Sequence, residues 1–129
     1  MSNLKLDHLT LLVTSIEASR PFYETLLPLL GFHRTTRENW TDGQGFFLQF
    51  LPARPETRPY ERYGAGLNHL GFGAPDAETV TAIRDAMQAA GLEVPEIQDL
   101  GGAKALFLKD PDGLRFEITW YPPGVAVVD

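Results

Sequence analysis

The chain has 129 residues, of which 43% are hydrophobic, and its 11 basic and 17 acidic residues give a formal net charge of −6. This size and composition are typical of one globular domain that binds no nucleic acid and spans no membrane, because the chain has neither a Lys/Arg cluster nor an apolar run of roughly 20 residues. Since there is no cysteine, a disulfide framework, a thiolate zinc site and a cysteine nucleophile are excluded, and only nitrogen and oxygen atoms can hold a metal. The opening MSNLKLDH lacks the pattern of a signal peptide and predicts a cytoplasmic protein.

The first half of the chain predicts a strand, a helix and further strands in that order. A strand is expected at residues 6–13, a helix at about 19–30, a strand from residue 32, and a final strand in FFLQFLP after the TDGQG turn. Phe22, Leu26 and Leu29 would lie on one face of the helix, and Gly31 would end it. Pro28 predicts a kink or an early end, because proline removes a backbone donor.

The second half predicts the same order. A strand is expected at residues 67–73, a helix from the N-cap Asp76 to Gly91, a strand near 92–97, another in AKALFLK, and a last strand in LRFEITWYP after DPDG. Val80, Ile83 and Met87 share one helical face. Each half therefore reads βαβββ, and the fold class predicted is α+β with two tandem βαβββ modules.

Corresponding residues of the two halves can be matched by the differences between their residue numbers. His8 and His69 differ by 61, and both stand third in runs that read as buried strands, LDHLTLLV and LNHLGFGA. Gln49 and Glu117 differ by 68, which places an insertion of seven or eight residues near DLGGA. We expect a single domain over 1–129, with module 1 at about 4–52, a connector at 53–66 and module 2 at about 67–123, since neither half buries enough surface alone.

Alternation along the strands predicts where polar side chains point. Glu117 shares a face with Arg115 and Thr119, opposite the apolar residues of the last strand. His8, His69 and Gln49 likewise fall on the faces that point away from the helices. If each curved, mixed, four-stranded sheet wraps around that face, the modules form a cup-shaped site with these polar residues on its wall.

The motifs LDHLTLLV, PFYETLLPLLGF, LNHLGF, AMQAAGLEV and FLKDPDGLRFEITWYP resemble, in order and spacing, the vicinal oxygen chelate superfamily. That superfamily includes glyoxalase I, fosfomycin-resistance metalloenzymes, extradiol dioxygenases and metal-free bleomycin-resistance proteins. The resemblance covers essentially the whole chain. It implies one divalent metal ion held by His8, His69 and Glu117, with Gln49 as an optional fourth ligand. In glyoxalase-like members, the carboxylate corresponding to Glu117 is also the catalytic base.

The chemistry of these residue types agrees with that implication. Two imidazoles and one carboxylate suit Zn, Ni, Mn or Fe, and they leave positions open for two adjacent substrate oxygens. Gln49 can ligate but cannot act as a base. The ordinary interpretations are an ion pair for Glu117, an amide hydrogen-bonded inside the cup for Gln49, and a surface position for His33. Arg115 could orient Glu117 or a substrate carboxylate, and Tyr121 or Thr10 could donate a hydrogen bond to the substrate; structural or rim positions are the ordinary interpretation of Arg115 and Tyr121.

The function predicted is a small metal-dependent enzyme that acts on a small-molecule substrate, with lyase or isomerase chemistry favoured. An extradiol-type dioxygenase and a metal-free binding protein of the bleomycin-resistance type are the alternatives. Because curved sheets leave strand edges exposed, a homodimer is also expected, with the cup formed within one chain or between two.

Overall fold

A computed structural model describes residues 2–36 and 38–125. The chain divides into two compact units, Met1–Pro59 and Tyr60–Asp129. Each unit contains one four-stranded sheet and one long helix, which confirms the predicted α+β class and the two βαβββ modules. No helix in the described part of the chain is long and apolar enough to cross a membrane.

Unit 1 has its helix between the first and second strands. The sheet order is β1-β4-β3-β2, with β1 parallel to β4 and the other pairs antiparallel. The elements are β1 (His8–Val13), α1 (Ile16–Leu29), β2 (His33–Thr36), β3 (Asn39–Thr41) and β4 (Phe47–Pro52).

Unit 2 repeats this topology. The sheet order is β5-β8-β7-β6, and again only the pair of first and last strands is parallel. The elements are β5 (His69–Gly73), α2 (Ala77–Ala89), β6 (Gln98–Leu100), β7 (Ala103–Lys109) and β8 (Arg115–Trp120).

The predicted strand near 92–97 is wrong, because the third element of unit 2 begins only at Gln98. Pro95 cannot donate to a strand ladder. Its carbonyl instead accepts a hydrogen bond of 2.7 Å from Nε of Arg84 on α2. This segment is therefore bound to the helix and leaves only three residues, 98–100, to pair with β7.

The two helices begin at equivalent positions. Ser15 caps α1 by accepting from the backbone N–H of Ala18, and Asp76 caps α2 by accepting from that of Thr79. Helix α1 therefore starts three residues before the prediction, because the serine cap precedes the first apolar turn. It ends at Leu29, one residue after Pro28, and Gly31 follows with a φ of 93°.

The core of each unit lies between its helix and one face of its sheet. Leu26 on α1 and Met87 on α2, which differ by 61 in number, are both fully buried. Leu48 on β4 and Phe116 on β8, which differ by 68, are fully buried as well. These matching positions confirm the offset between the halves and the buried helix faces. Leu29 is the exception: it was predicted on the buried face of α1, but at the last residue of the helix its side chain is 38% exposed.

The turns before the last strands are built alike. Oδ1 of Asp42 accepts backbone hydrogen bonds from Gln44 and Phe46. Oδ1 of Asp110 accepts them from Asp112 and Leu114, and Asp110 is buried. An aspartate that satisfies two turn N–H groups fixes where the following strand begins. The strands that carry Gln49 and Glu117 therefore begin after equivalent turns.

Candidate functional site

Each sheet has one face that the helix of its unit does not cover, which we call the uncovered face. The residues predicted for a site lie on this face. In unit 1, the first and last strands pair in a register that joins Thr10 to Gln49 and His8 to Phe47. In unit 2, the corresponding register joins Gly71 to Glu117 and His69 to Arg115. We call His8 and Gln49 the unit 1 pair, and His69 and Glu117 the unit 2 pair.

The two imidazoles are exposed, contrary to the expectation of buried histidines. The side chain of His8 is 49% exposed and that of His69 is 42% exposed. The reason is that both start edge strands on the face that the helix of the unit does not cover. Exposed imidazoles are accessible to a ligand from solution.

The ring of His8 is held on two sides. Its Nδ1 lies 2.8 Å from Oδ2 of Asp7, and its plane stacks on Phe47 with 4.8 Å between the ring centroids and an interplanar angle of 9°. A carboxylate accepts hydrogen bonds only, so Nδ1 carries the proton. When the imidazole is neutral, Nε2 is left with a free lone pair.

Gln49 is half-buried beside Thr10. The hydroxyl of Thr10 donates to Oε1 of Gln49 over 3.2 Å. This contact orients the amide on the same face as His8. The ordinary interpretation of Gln49, an amide hydrogen-bonded to its surroundings, therefore accounts for the observed geometry as well as a ligand position does.

The unit 2 pair is in direct contact. Nε2 of His69 lies 3.2 Å from Oε1 of Glu117, and the glutamate side chain is only 17% exposed. Nδ1 of His69 lies 2.7 Å from Oδ1 of Asn68, whose amide nitrogen donates to the carbonyl of Arg62. Oδ1 of Asn68 therefore acts as the acceptor, and Nδ1 of His69 as the donor.

Glu117 is also fixed at its second oxygen. The hydroxyl of Thr119 donates to Oε2 over 2.5 Å, and Thr119 is buried with 4% of its surface exposed. Oε1 is thereby left facing the imidazole. A lone pair on Nε2 and a carboxylate oxygen at this distance repel each other unless a proton or a cation stands between them.

The family model described as the Glyoxalase/Bleomycin resistance protein/Dioxygenase superfamily matches residues 5–118. The chain belongs to this superfamily. It is 30% identical over 125 residues to the protein YqjT of Bacillus subtilis (strain 168), covering 88% of this chain and 96% of YqjT.

A plant relative and a solved structure also resemble the chain. Glyoxylase I 4 of Arabidopsis thaliana is 28% identical over 122 residues, covering 88% of this chain and 68% of the relative. The glyoxylase/bleomycin resistance protein/dioxygenase domain from Frankia sp. EAN1pec matches with a TM-score of 0.75 and 18% identity, over 97% of this chain and 96% of that one. At that identity, the structural likeness shows the shared fold.

The superfamily commonly binds a divalent metal, and the unit 2 pair suits one. An imidazole nitrogen and a carboxylate oxygen are common ligands of Zn, Ni, Mn and Fe, and they already face each other. Asn68 and Thr119 hold the two outer atoms, as partners of metal ligands generally do. Within residues 2–36 and 38–125, no group of three or more His, Cys, Asp or Glu side chains stands where it could hold a metal ion.

Sequence reasoning missed the residues that orient the predicted ligands. Asp7 and Asn68 precede the two histidines, and each accepts a hydrogen bond from the Nδ1 atom of its neighbour. The sequence pattern was interpreted for the histidines alone. The signal was the repeated acidic or amide residue in LDH and LNH. Thr119 was placed on the face of Glu117, but its hydrogen bond depends on rotamers that alternation does not specify.

The remaining predicted residues lie outside these pairs. Arg115 is half-buried on the face of Glu117, Tyr121 is half-buried just after β8, and His33 is exposed at the start of β2 as predicted. Gly71 and Gly73 leave the face next to Glu117 and Thr119 without side chains. A Cβ added at either glycine would meet nothing within 4 Å, so the space beside Glu117 is open.

Proposed function

We propose that this chain is a metal-dependent enzyme of the superfamily that acts on a small substrate with two adjacent oxygens, by lyase or isomerase chemistry. One divalent ion per chain would be held by His8, His69 and Glu117, with Gln49 as the optional fourth ligand. The observation that supports this most directly is the contact of 3.2 Å between Nε2 of His69 and Oε1 of Glu117. The four ligands would come from one chain or from two chains of a dimer, with one ion per chain in both cases.

The chemistry assigned to each residue follows from its contacts. A bound divalent ion supplies Lewis-acid stabilisation of negative charge on two adjacent substrate oxygens. Asp7 and Asn68 keep the Nδ1 proton in place, so each histidine presents Nε2. Thr119 donates to Oε2 of Glu117, which leaves Oε1 as the atom that would bind the metal ion. Glu117 would accept a proton from a substrate carbon through Oε1 only when that oxygen is not bound to the metal.

Two observations favour isomerisation or elimination over ring opening with O₂. Gln49 lies in the position equivalent to Glu117, on the uncovered face of its sheet, where it would complete a four-ligand set. The only histidine besides the two ligands, His33, stands on β2 at the edge of the sheet opposite β1. The relative named Glyoxylase I 4 supports the same choice.

A metal titration tests the proposed metal site. We expect isothermal titration with Zn²⁺, Ni²⁺ and Mn²⁺ to give one ion per chain. His69→Ala and Glu117→Gln should lose most of that binding and keep the wild-type circular dichroism spectrum. His33→Ala is the matched control, because it removes an exposed imidazole from a strand outside both pairs. Wild-type protein that binds no metal would leave the metal-free binding protein as the function.

Turnover assays separate the two enzyme classes. Metal-loaded protein is tested anaerobically with hemithioacetals of 2-oxoaldehydes and with epoxides plus a thiol, and aerobically with substituted catechols at an oxygen electrode. We expect anaerobic turnover that Glu117→Gln abolishes. Oxygen uptake with Fe²⁺ that His69→Ala abolishes, without anaerobic turnover, would establish the dioxygenase instead.

We also propose that the chain forms a homodimer. Each four-stranded sheet has two edge strands, and unpaired edges favour association with another chain. Light scattering should therefore give twice the chain mass of 14.3 kDa. A constant mass of one chain up to high protein concentration would contradict the dimer.

A further inference from the structure

We propose that the substrate carries a carboxylate in addition to its two adjacent oxygens, and that Arg115 binds this carboxylate with help from Lys109. The inference rests on the proposed function, because it places the extra anionic group beside the unit 2 pair. It names a substrate class that neither the fold nor the superfamily specifies.

Two basic residues lie side by side in one row across the sheet of unit 2. Arg115 on β8 is in register with His69 on β5 and with Lys109 on β7. Register partners on neighbouring strands put their side chains on the same face, about 5 Å apart. Arg115 and Lys109 therefore lie on the uncovered face, in the row that contains His69.

Arg115 and Lys109 differ from the other basic strand residues in having no ion-pair partner in the described part of the chain. Four Lys or Arg residues lie on the described strands. Arg34 pairs with Glu24 at 2.7 Å, and Lys104 pairs with Asp99 at 2.6 Å. Neither Arg115 nor Lys109 makes an ion pair or side-chain hydrogen bond with any residue in the described ranges 2–36 and 38–125.

The arrangement of Arg115 and Lys109 is energetically costly. Placing two like charges in adjacent cross-strand positions is unfavourable, and Arg115 is half-buried. The chain has a net charge of −6 and many carboxylates, yet no carboxylate within residues 2–36 and 38–125 forms an ion pair with either cation. A bound anion would relieve the repulsion, and a guanidinium binds a carboxylate through two parallel hydrogen bonds.

The spacing along β8 sets the shape of the substrate. Arg115 and Glu117 are two residues apart on one face, a rise of about 7 Å. Phe107 is the register partner of Glu117 on β7, and Gly71 is its partner on β5. A planar body about 7 Å long would therefore lie between an aromatic side chain and an open glycine, with a carboxylate at the end nearer Arg115.

A matched pair of ligands tests the proposal. The probes are 3,4-dihydroxybenzoate and its neutral isostere 3,4-dihydroxybenzamide, titrated calorimetrically into zinc-loaded protein. Both have vicinal oxygens, and they differ in the charge at the far end of the ring. We expect the benzoate to bind about tenfold more tightly than the amide, as a charge-assisted bidentate contact implies.

Substitutions at Arg115 and Lys109 test whether these residues cause the preference for the benzoate over the amide. Arg115→Met should reduce the preference for the benzoate to near unity and leave the affinity for the amide unchanged. Arg115→Lys should restore part of it, and Lys109→Met should reduce it about twofold. Arg34→Met, which removes a paired arginine from a strand of unit 1, is the matched control and should leave both affinities unchanged. Circular dichroism and thermal melting confirm that each variant is folded.

The possible failures are distinct. A wild-type chain that takes up no zinc overturns the proposed function. A chain that takes up zinc but binds the two probes equally, or binds neither, overturns the carboxylate proposal alone. An equal loss of both probes in Arg115→Met, with unchanged zinc content, also overturns it, because Arg115 would then act on the shape of the site rather than on charge.

Discussion

The buried hydroxyl of Thr119 donates to Oε2 of Glu117 over 2.5 Å, while Oε1 of the same carboxylate lies 3.2 Å from Nε2 of His69. One oxygen is thus held by the protein and the other is directed at the imidazole. In the proposed metal site, Thr119 would be a positioning residue, because its hydrogen bond fixes the carboxylate of Glu117 and Thr119 itself is not one of the proposed ligands.

Replacement of Thr119 by valine should weaken metal binding without unfolding the chain. The shape is kept and the donor is lost, so we expect the zinc affinity to fall by about 10–100-fold. Thr119→Ser should restore it. The matched control is Thr25→Val, because that hydroxyl donates only to the carbonyl of Pro21 within its own helix. Calorimetry measures the zinc affinity of each of the three variants. An unchanged affinity in Thr119→Val would contradict the positioning role of Thr119.

The residues before the two histidines should determine the position of the ring proton. In metal-free protein, ¹⁵N NMR of the imidazoles is expected to show Nδ1 protonated in the neutral form of both His8 and His69, because each Nδ1 faces an acceptor. Asp7→Ala and Asn68→Ala should shift the proton toward Nε2 at His8 and His69 respectively.

Asp7→Asn is the conservative control, because unit 2 uses an asparagine at the equivalent position. It should keep the Nδ1 proton of His8. His33 provides an internal reference in the same spectrum, and its signals should not change in any of these variants. Wild-type His69 without a proton on Nδ1 would contradict the assigned hydrogen bond to Asn68.

Gly71 should control access to Glu117. Its φ is not positive and a Cβ would meet nothing, so larger residues are compatible with the backbone. Gly71→Leu would place a side chain beside Glu117 on the uncovered face. We expect zinc-loaded Gly71→Leu to lose binding of 3,4-dihydroxybenzamide by more than tenfold, by steric exclusion, while zinc affinity and melting temperature stay near wild type. Gly71→Ala, which adds little volume, should bind the amide almost normally.

The equivalent core residues of the two units should contribute similarly to stability. Leu26→Ala and Met87→Ala each remove a fully buried side chain, and each should lower the free energy of unfolding by about 2–5 kcal/mol. Leu29→Ala is the control, since this side chain is 38% exposed and should cost less than about 1 kcal/mol. Urea unfolding followed by circular dichroism measures the three values, and a cost below that of the control would contradict the core assignment.

The stability that the N-cap residue Asp76 gives to helix α2 should depend on pH. Hydrogen bonds from the side chain and backbone of Thr79 lower the pKa of Asp76 below its ordinary value of 3.8. A lowered pKa in the folded chain means that the stabilisation is present above the unfolded pKa and is lost as the pH falls through the folded one. The stability difference between wild type and Asp76→Asn should therefore shrink as the pH falls below about 3.8.

Urea midpoints at pH 7, 4, 3 and 2.5 measure that difference directly. Asparagine still caps the helix, so the comparison isolates the charge. Asp99, whose pKa is also lowered, chiefly by Lys104, is present in both proteins and cancels. A difference that stays constant from pH 7 to pH 2.5 would contradict the assigned cause.

The sequence by itself determined the features that depend on periodicity and on local chain chemistry. The offsets of 61 and 68 residues, the helix faces with Leu26 and Met87, and the alternation that directs Gln49 and Glu117 away from the helices were all predictable. Each follows from the geometry of a single element, because a helix repeats every 3.6 residues and a strand every two.

Only the tertiary structure decided the features that depend on contacts between elements. A strand was predicted at 92–97, but the carbonyl of Pro95 accepts a hydrogen bond from Arg84, and the strand instead spans Gln98–Leu100. Strand order and side-chain rotamers decided the exposure of His8 and His69 and the hydrogen bond from Thr119 to Glu117. They also decided that Arg115 lies in register with Lys109. The physical reason is that alternation tells which face a residue occupies, whereas the neighbours it meets there are set by strands far away in the sequence.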